Sequence, residues 1–145
     1  MFNKKFEHFE INETWRSRGR TITESDIVMF SAFSGDWYPL HTDKEYAEKH
    51  TPFKQRTAHG MLVLSVATGL QVMDPDIIVA FYGIEKLRFI HPTFIDDTIH
   101  VELEVIDLLD KENGTGVVTC KQKIVKQTGE PVTAGVIKVL VNKER

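Results

Sequence analysis

Residues 58–73, AHGMLVLSVATGLQVM, are apolar on nearly every side, interrupted only by small polar residues. A helix without a polar face has to be buried all round. No stretch of the chain approaches the roughly 20 apolar residues of a membrane span, so the rest of the protein has to supply the cover. Asp74-Pro75 ends the segment, because proline cannot continue a helix.

The second half of the chain is suited to wrapping such a helix. Residues 77–90 (IIVAFYGIEKLRFI) are rich in β-branched and aromatic side chains. Residues 98–105 alternate, with Ile99, Val101, Leu103 and Val105 on one face and His100, Glu102 and Glu104 on the other. Two more strands are predicted over 115–126 and 132–142, with Asn113-Gly114 turning into the first and QTGEP joining the two. Ahead of the apolar helix, the first twenty residues are irregular, becoming extended toward RTIT. Thr23 three residues before Asp26 makes a capping-box start for a short helix over SDIVMFSAF, broken at Ser34-Gly35. Thr42 three residues before Glu45 predicts a second box, opening a helix over DKEYAEKH that Pro52 stops. The layout is α+β in one domain, 1–145: a long central apolar helix wrapped by a curved antiparallel β-sheet.

Charge and cysteine usage narrow the classes of function. Formal net charge is −3, with both signs mixed along the chain, which argues against a nucleic-acid footprint. MFNKKFEHFE lacks the apolar run of a secretory signal, and the single cysteine, Cys120, has no partner for a disulfide within the chain. A cytoplasmic protein with no membrane attachment is expected. Cys120 sits among strand residues without a neighbouring His and reads as a buried thiol.

The densest chemistry lies in SGDWYPLHTD, residues 34–43, a segment too broken by Gly and Pro for a helix or a strand. Read for structure alone, it is a turn capped by Asp and anchored by Trp37, Tyr38 and Leu40. Read for chemistry, Asp36 and His41 flank a stiff loop that can fold back so that both reach one water, taking one proton and giving another. Trp37 and Tyr38 would form a dry wall around them. Ala58-His59-Gly60 opens the apolar helix, whose unpaired first-turn N–H groups and dipole suit a negatively charged oxygen. Gly60 would allow a ligand close to the backbone. No phosphate loop, no G-x-S-x-G elbow and no metal-ligand spacing among the histidines is present. The parts suit adding water to, or removing it from, a bond next to a carbonyl.

ITESDIVMFSAFSGDWYPLHTDKEYA followed by AHGMLVLSVATGL resembles the MaoC-like family of (R)-specific enoyl-CoA hydratases, whose pattern runs S-G-D-x-N-P-L-H-x-D and then H-G. LRFIHPTFIDDTIHVELEV resembles that family's later strand pair, so the likeness covers about residues 20–110. The resemblance implies a hotdog fold and a homodimer, or a higher assembly of dimers, with sheets joined edge to edge. It implies reversible hydration of a trans-2-enoyl-CoA to an (R)-3-hydroxyacyl-CoA, with coenzyme A as part of the substrate and no separate cofactor or metal. Asp36 and His41 would be the acid–base pair and Gly60 N–H the thioester-oxygen donor. Thr68 stands where relatives often carry a Ser lining the site, and His59 would support the loop. The chain departs from the pattern at Tyr38, where the family has Asn, and at Asp96, where it has Gly.

Two other functions fit a hotdog scaffold. A thioesterase usually places a carboxylate on or near the central helix, and residues 58–73 have none. A non-catalytic acyl-binding partner in a heterodimeric dehydratase usually loses the acid–base pair, which is kept here. Arg88, Lys86 and Lys138 could meet coenzyme A phosphates but read as solvated surface. His8, His50 and His100 also read as solvated. Acyl length, carrier and pathway are not legible in the sequence.

Overall fold

The computed structural model describes all residues, Met1–Arg145. Two short strands, β1 (Thr14–Arg16) and β2 (Arg20–Thr21), precede four helices: α1 (Glu24–Ser34), α2 (Pro39–Thr42), α3 (Lys44–His50) and α4 (Gly60–Leu70). Four long strands follow: β3 (Ile78–Phe89), β4 (Thr98–Asp110), β5 (Thr115–Lys126) and β6 (Pro131–Asn142). They form one antiparallel sheet in the order β1-β4-β5-β6-β3, with β2 also paired to β4. Asn113 and Gly114 turn β4 into β5 as expected, Gly114 taking a left-handed φ of 82°. Register shifts in β4, and three times in β3, bend the sheet, because each extra residue kinks its strand and increases the local twist.

One face of this curved sheet carries apolar rows. Val105 pairs with Cys120 and Cys120 with Ile137; Val101 pairs with Ile124. Helix α4 lies against them, and Leu62, Val63, Leu64, Ala67 and Leu70 join the same buried cluster as Val101, Leu103, Val118 and Val139. Burial raises the Cys120 thiol to about 12, so it stays protonated as an inert core side chain.

The expectation of a helix buried on every side needs correction. Met61, Ser65, Thr68 and Gly69 are exposed in the single chain. Their spacing is i, i+4, i+7, i+8, one stripe of an α-helix. The sheet covers one side of α4, and this stripe sets the small or polar Ser65, Thr68 and Gly69 beside the apolar Met61. The helix is also shorter than predicted: Gln71, extended, ends it after Leu70.

The Thr23–Asp26 capping box forms in both directions. Arg20 adds two hydrogen bonds to the Asp26 carboxylate, at 2.6 and 2.9 Å, and holds that carboxyl far below its ordinary range. The second predicted box does not form. Asp43, not Thr42, caps α3 through its side chain on Tyr46 N–H, while Thr42 closes the one-turn helix α2 that Pro39 opens, a helix not expected within residues 34–43. Proline fits at a first helical position because its missing N–H is not needed there. His100, expected in solvent, is buried beside Glu102, whose Oε1 is 3.1 Å from its Nε2.

Candidate active site

Helix α1 ends on Gly35, whose left-handed φ of 78° suits glycine and turns the chain sharply. Ser34 ties the corner, donating to Phe30 O at 2.7 Å and accepting from Asp36 N–H. Asp36 Oδ1 then accepts from Tyr38 N–H at 3.2 Å, an Asx turn that aims the carboxyl group. In α2, His41 N–H donates to Tyr38 O at 2.9 Å. Six residues therefore carry the acid and the imidazole through main-chain geometry. Tyr38 contributes its N–H and C=O to this arrangement, and its ring stands edge-on to the His41 imidazole with centroids 6.1 Å apart.

The second half of the site comes from the segment before α4. His41 Nδ1 lies 2.7 Å from Thr57 O, and Thr57 N–H returns a bond to Leu40 O at 3.2 Å. A carbonyl only accepts, so the His41 proton is on Nδ1 and Nε2 holds the lone pair. His59 Nε2 lies 3.0 Å from Asp36 O and 3.2 Å from Ser31 Oγ. By the same reasoning His59 is the Nε2–H tautomer, and its Nδ1 is buried without a partner. His59 is only 2% exposed. Burial, ahead of the neighbouring His41, lowers its pKa and keeps it neutral. The two imidazoles stack with centroids 3.9 Å apart. One ligand-type atom from each of Asp36, His41 and His59 lies within 4.8 Å of the others.

Gly60, Met61 and Leu62 form the first turn of α4, where N–H groups have no intrahelical partner, and no side chain caps this end. Gly60 and His41 line the same cavity, of about 380 Å³. Its walls are apolar, including Phe53, Val63, Phe89, Ile90 and Val132, and no Lys or Arg lines it. A depression of similar size, about 390 Å³, lies elsewhere, among Arg16, Glu102, Glu104, Lys121 and Lys123 on β1, β4 and β5. It is a charged, solvated surface with neither imidazole nor helix terminus.

The sequence-predicted residues divide accordingly. Asp36, His41, His59 and Gly60 come together. Trp37 and Tyr38 are 52% and 55% exposed in the single chain and do not line the cavity, although the Tyr38 ring meets His41 edge-on. Phe53 and Phe89 are the aromatics at the cavity instead. Thr68 lies two turns along α4, exposed, its hydroxyl donating to Leu64 O at 3.1 Å. Sequence reading missed Ser31 and Thr57, which position the imidazoles. Thr57 acts through its carbonyl, which no side-chain pattern can signal.

A buried brace holds the far wall. Lys126 Nζ donates to Pro92 O at 3.0 Å and to Asp97 Oδ2 at 3.2 Å. Asp97 also accepts from Gln127 and from Phe94 N–H. Burial pushes the Asp97 carboxyl up, but these donors outweigh it and hold it below its ordinary range. The braced loop supplies Thr93 O, which accepts from Ala58 N–H at 2.7 Å, just before His59 and Gly60.

A curved antiparallel sheet around one helix, with a carboxylate and two imidazoles gathered ahead of that helix, is the architecture of a hotdog-fold protein. Residues 7–128 match the family model described as MaoC like domain, and the chain belongs to that family. It is 39% identical over 127 residues to Protein MaoC of Klebsiella aerogenes, covering 86% of this chain but only 33% of that one. It therefore spans about a third of that relative. The (R)-specific enoyl-CoA hydratase of Rhodospirillum rubrum is 37% identical over 108 residues, 72% of each chain. Among solved structures, a protein from Archaeoglobus described as a monoamine oxidase regulatory protein superposes with a TM-score of 0.90 at 39% identity, covering 98% of this chain and 96% of that one. No helix is long and apolar enough to cross a membrane.

Proposed function

We propose that this protein hydrates a trans-2-enoyl-CoA reversibly to an (R)-3-hydroxyacyl-CoA, with Asp36 and His41 as the acid–base pair. The observation that carries this reading is their convergence to within 4.8 Å beside a cavity that His41 shares with the uncapped start of α4. The Rhodospirillum relative, named as such a hydratase, supports it. The regulatory description of the Archaeoglobus neighbour does not account for a carboxylate and an imidazole held by so many main-chain bonds.

In the proposed reaction, water lies between Asp36 and the free Nε2 of His41. As the water oxygen bonds to the β carbon, the pair takes one proton from the water and passes one proton on to the α carbon. Proton exchange between them resets the site. Negative charge builds meanwhile on the thioester oxygen, where Gly60 N–H and the dipole of α4 stabilise it. The apolar walls exclude water and strengthen these interactions. Coenzyme A is part of the substrate, and the chain itself serves as the only catalyst.

The working unit in this reading is a homodimer. Strand β3 is a sheet edge with exposed Phe81, Tyr82 and Ile84, and an unpaired apolar edge calls for a partner strand. The test of function is a panel of enoyl-CoAs of increasing length, following loss of the conjugated thioester, with chiral analysis of the product. Release of free thiol instead would establish a thioesterase. A stable protein inert toward every substrate would leave a non-catalytic acyl-binding partner.

A further inference from the structure

Both imidazoles at the site have their single N–H committed to a main-chain carbonyl, His41 Nδ1 to Thr57 O and His59 Nε2 to Asp36 O. Fixing the second ring nitrogen on a carbonyl is how proteins orient a metal-binding histidine and set its tautomer. The remaining nitrogens, His41 Nε2 and His59 Nδ1, therefore carry lone pairs. That of His59 is buried and satisfied by nothing in the protein. Such an orphan is uncommon, because a buried polar atom without a partner loses its hydration with nothing to replace it. One ligand-type atom from each of Asp36, His41 and His59 lies within 4.8 Å of the others, so a carboxylate oxygen and a ring nitrogen of each histidine are gathered in one place.

From these observations we propose that Asp36, His41 and His59 form a site for a divalent transition metal of the zinc type, and that the ion, when bound, shuts the acid–base centre off. Two imidazoles and a carboxylate are the ligand types such ions select. Ligands about 2.0–2.2 Å from zinc lie roughly 3–4 Å from one another, so the cluster has to contract by about 1 Å. Asp36 is exposed, and its carboxylate can turn inward by exchanging the hydrogen bond from Tyr38 N–H for the ion. The spacing 36, 41, 59 matches no sequence pattern for metal ligands, because the fold, not the local chain, brings the three together. The metal occupies the carboxylate and the His41 lone pair that water activation needs. Binding stands independently of the proposed function; inhibition rests on the hydratase reading.

Zn²⁺ titrated into the purified metal-free protein by calorimetry, with Co²⁺ as a spectroscopic stand-in, tests this. One ion should bind per chain, with a Co²⁺ visible spectrum of mixed nitrogen and oxygen ligation. Asp36→Asn and His59→Gln should each weaken binding at least tenfold, the scale on which metal-site changes act, while His8→Gln, at a surface pair with Glu144, should leave it unchanged. Asp36→Asn keeps the test decisive if His59→Gln fails to fold. Absence of stoichiometric binding, or equal binding by wild type and Asp36→Asn, overturns the site. In the enoyl-CoA assay, Zn²⁺ should inhibit at the concentrations that saturate binding, and a chelator should restore the rate. Binding by a protein inert toward every enoyl-CoA would overturn the hydratase reading and leave the metal site standing.

Discussion

The ring of Phe89 stands where a side chain on Gly60 would begin: an ideal Cβ there would lie 2.6 Å from two of its ring carbons. Gly60 is thus glycine for space. Phe89 lines the cavity and is half exposed, so the ring fixes the clearance over the first N–H groups of α4.

A methyl group at residue 60 should therefore act on activity more than on folding. In Gly60→Ala the Phe89 ring swings into the cavity or the start of the helix moves outward. Displacements of about 1 Å near reacting atoms cost up to about 10²-fold in rate. We expect kcat/KM for an enoyl-CoA to fall by about 10–100-fold, with the melting temperature little changed. Gly60→Ala/Phe89→Ala should recover part of the loss. If the double variant is no better than the single, the steric account is wrong.

Asp36→Asn and His41→Gln should each lower kcat by about 10²–10⁴-fold, the usual contribution of a positioned acid or base. Asparagine preserves the acceptor for Tyr38 N–H, so circular dichroism and the unfolding midpoint of Asp36→Asn should match wild type. Full activity in Asp36→Asn would remove the proposed mechanism.

Much of this site was legible because its parts are local. The Thr23–Asp26 box, the corner at Gly35, Pro39 and the alternation in β4 each follow from short-range rules, and each formed. What could not be read depends on tertiary neighbours. An all-apolar pattern cannot tell that the sheet covers only part of α4, leaving Met61, Ser65, Thr68 and Gly69 open. Trp37 and Tyr38 lie beside the pair in sequence, yet the aromatics at the cavity are Phe53 and Phe89, 12 and 48 residues beyond His41. The Thr42 box lost to Asp43 because α2 claims Thr42 for its own last turn, its hydroxyl donating to Trp37 O.

His59 should make stability depend on pH. Burial lowers its pKa below the ordinary value of about 6.5, so the unfolded chain binds a proton at higher pH than the folded one. Stability rises with pH wherever the unfolded state binds more protons. This contribution is therefore full above about pH 6.5 and is lost as pH falls below it toward the folded pKa. Urea midpoints measured between about pH 7.5 and 5.5 should decline in wild type. The decline should be shallower in His59→Gln, and an equal slope in both would exclude His59 as the source. The Asp26 carboxyl, held low by Arg20, contributes in a separate and more acidic window.

Lys126→Met should destabilise the protein by about 3–5 kcal/mol, the cost of leaving one member of a buried ion pair behind. Lys126 and Asp97 are both buried, and the lost bond to Pro92 O slackens the loop whose Thr93 O holds Ala58 N–H. At temperatures where the variant remains folded, KM should rise as the cavity wall loosens. A denaturation midpoint unchanged from wild type would show that the pair contributes nothing net.

The edge formed by β3 offers the last test. Ile84 pairs with Ile137, whose side chain is buried in the core row beneath α4, yet Ile84 itself is exposed in the single chain. The stripe Met61, Ser65, Thr68 and Gly69 on α4 is open as well. A second copy adding its own β3 would pair both edges and cover apolar surface that a monomer leaves in water. Sedimentation equilibrium should give twice the chain mass for wild type. Ile84→Lys, which places a charge at that edge, should shift the protein toward monomer and reduce activity with it. A wild-type monomer at tens of micromolar would rule out the dimer, and a monomeric Ile84→Lys with full activity would show that each chain holds a complete site.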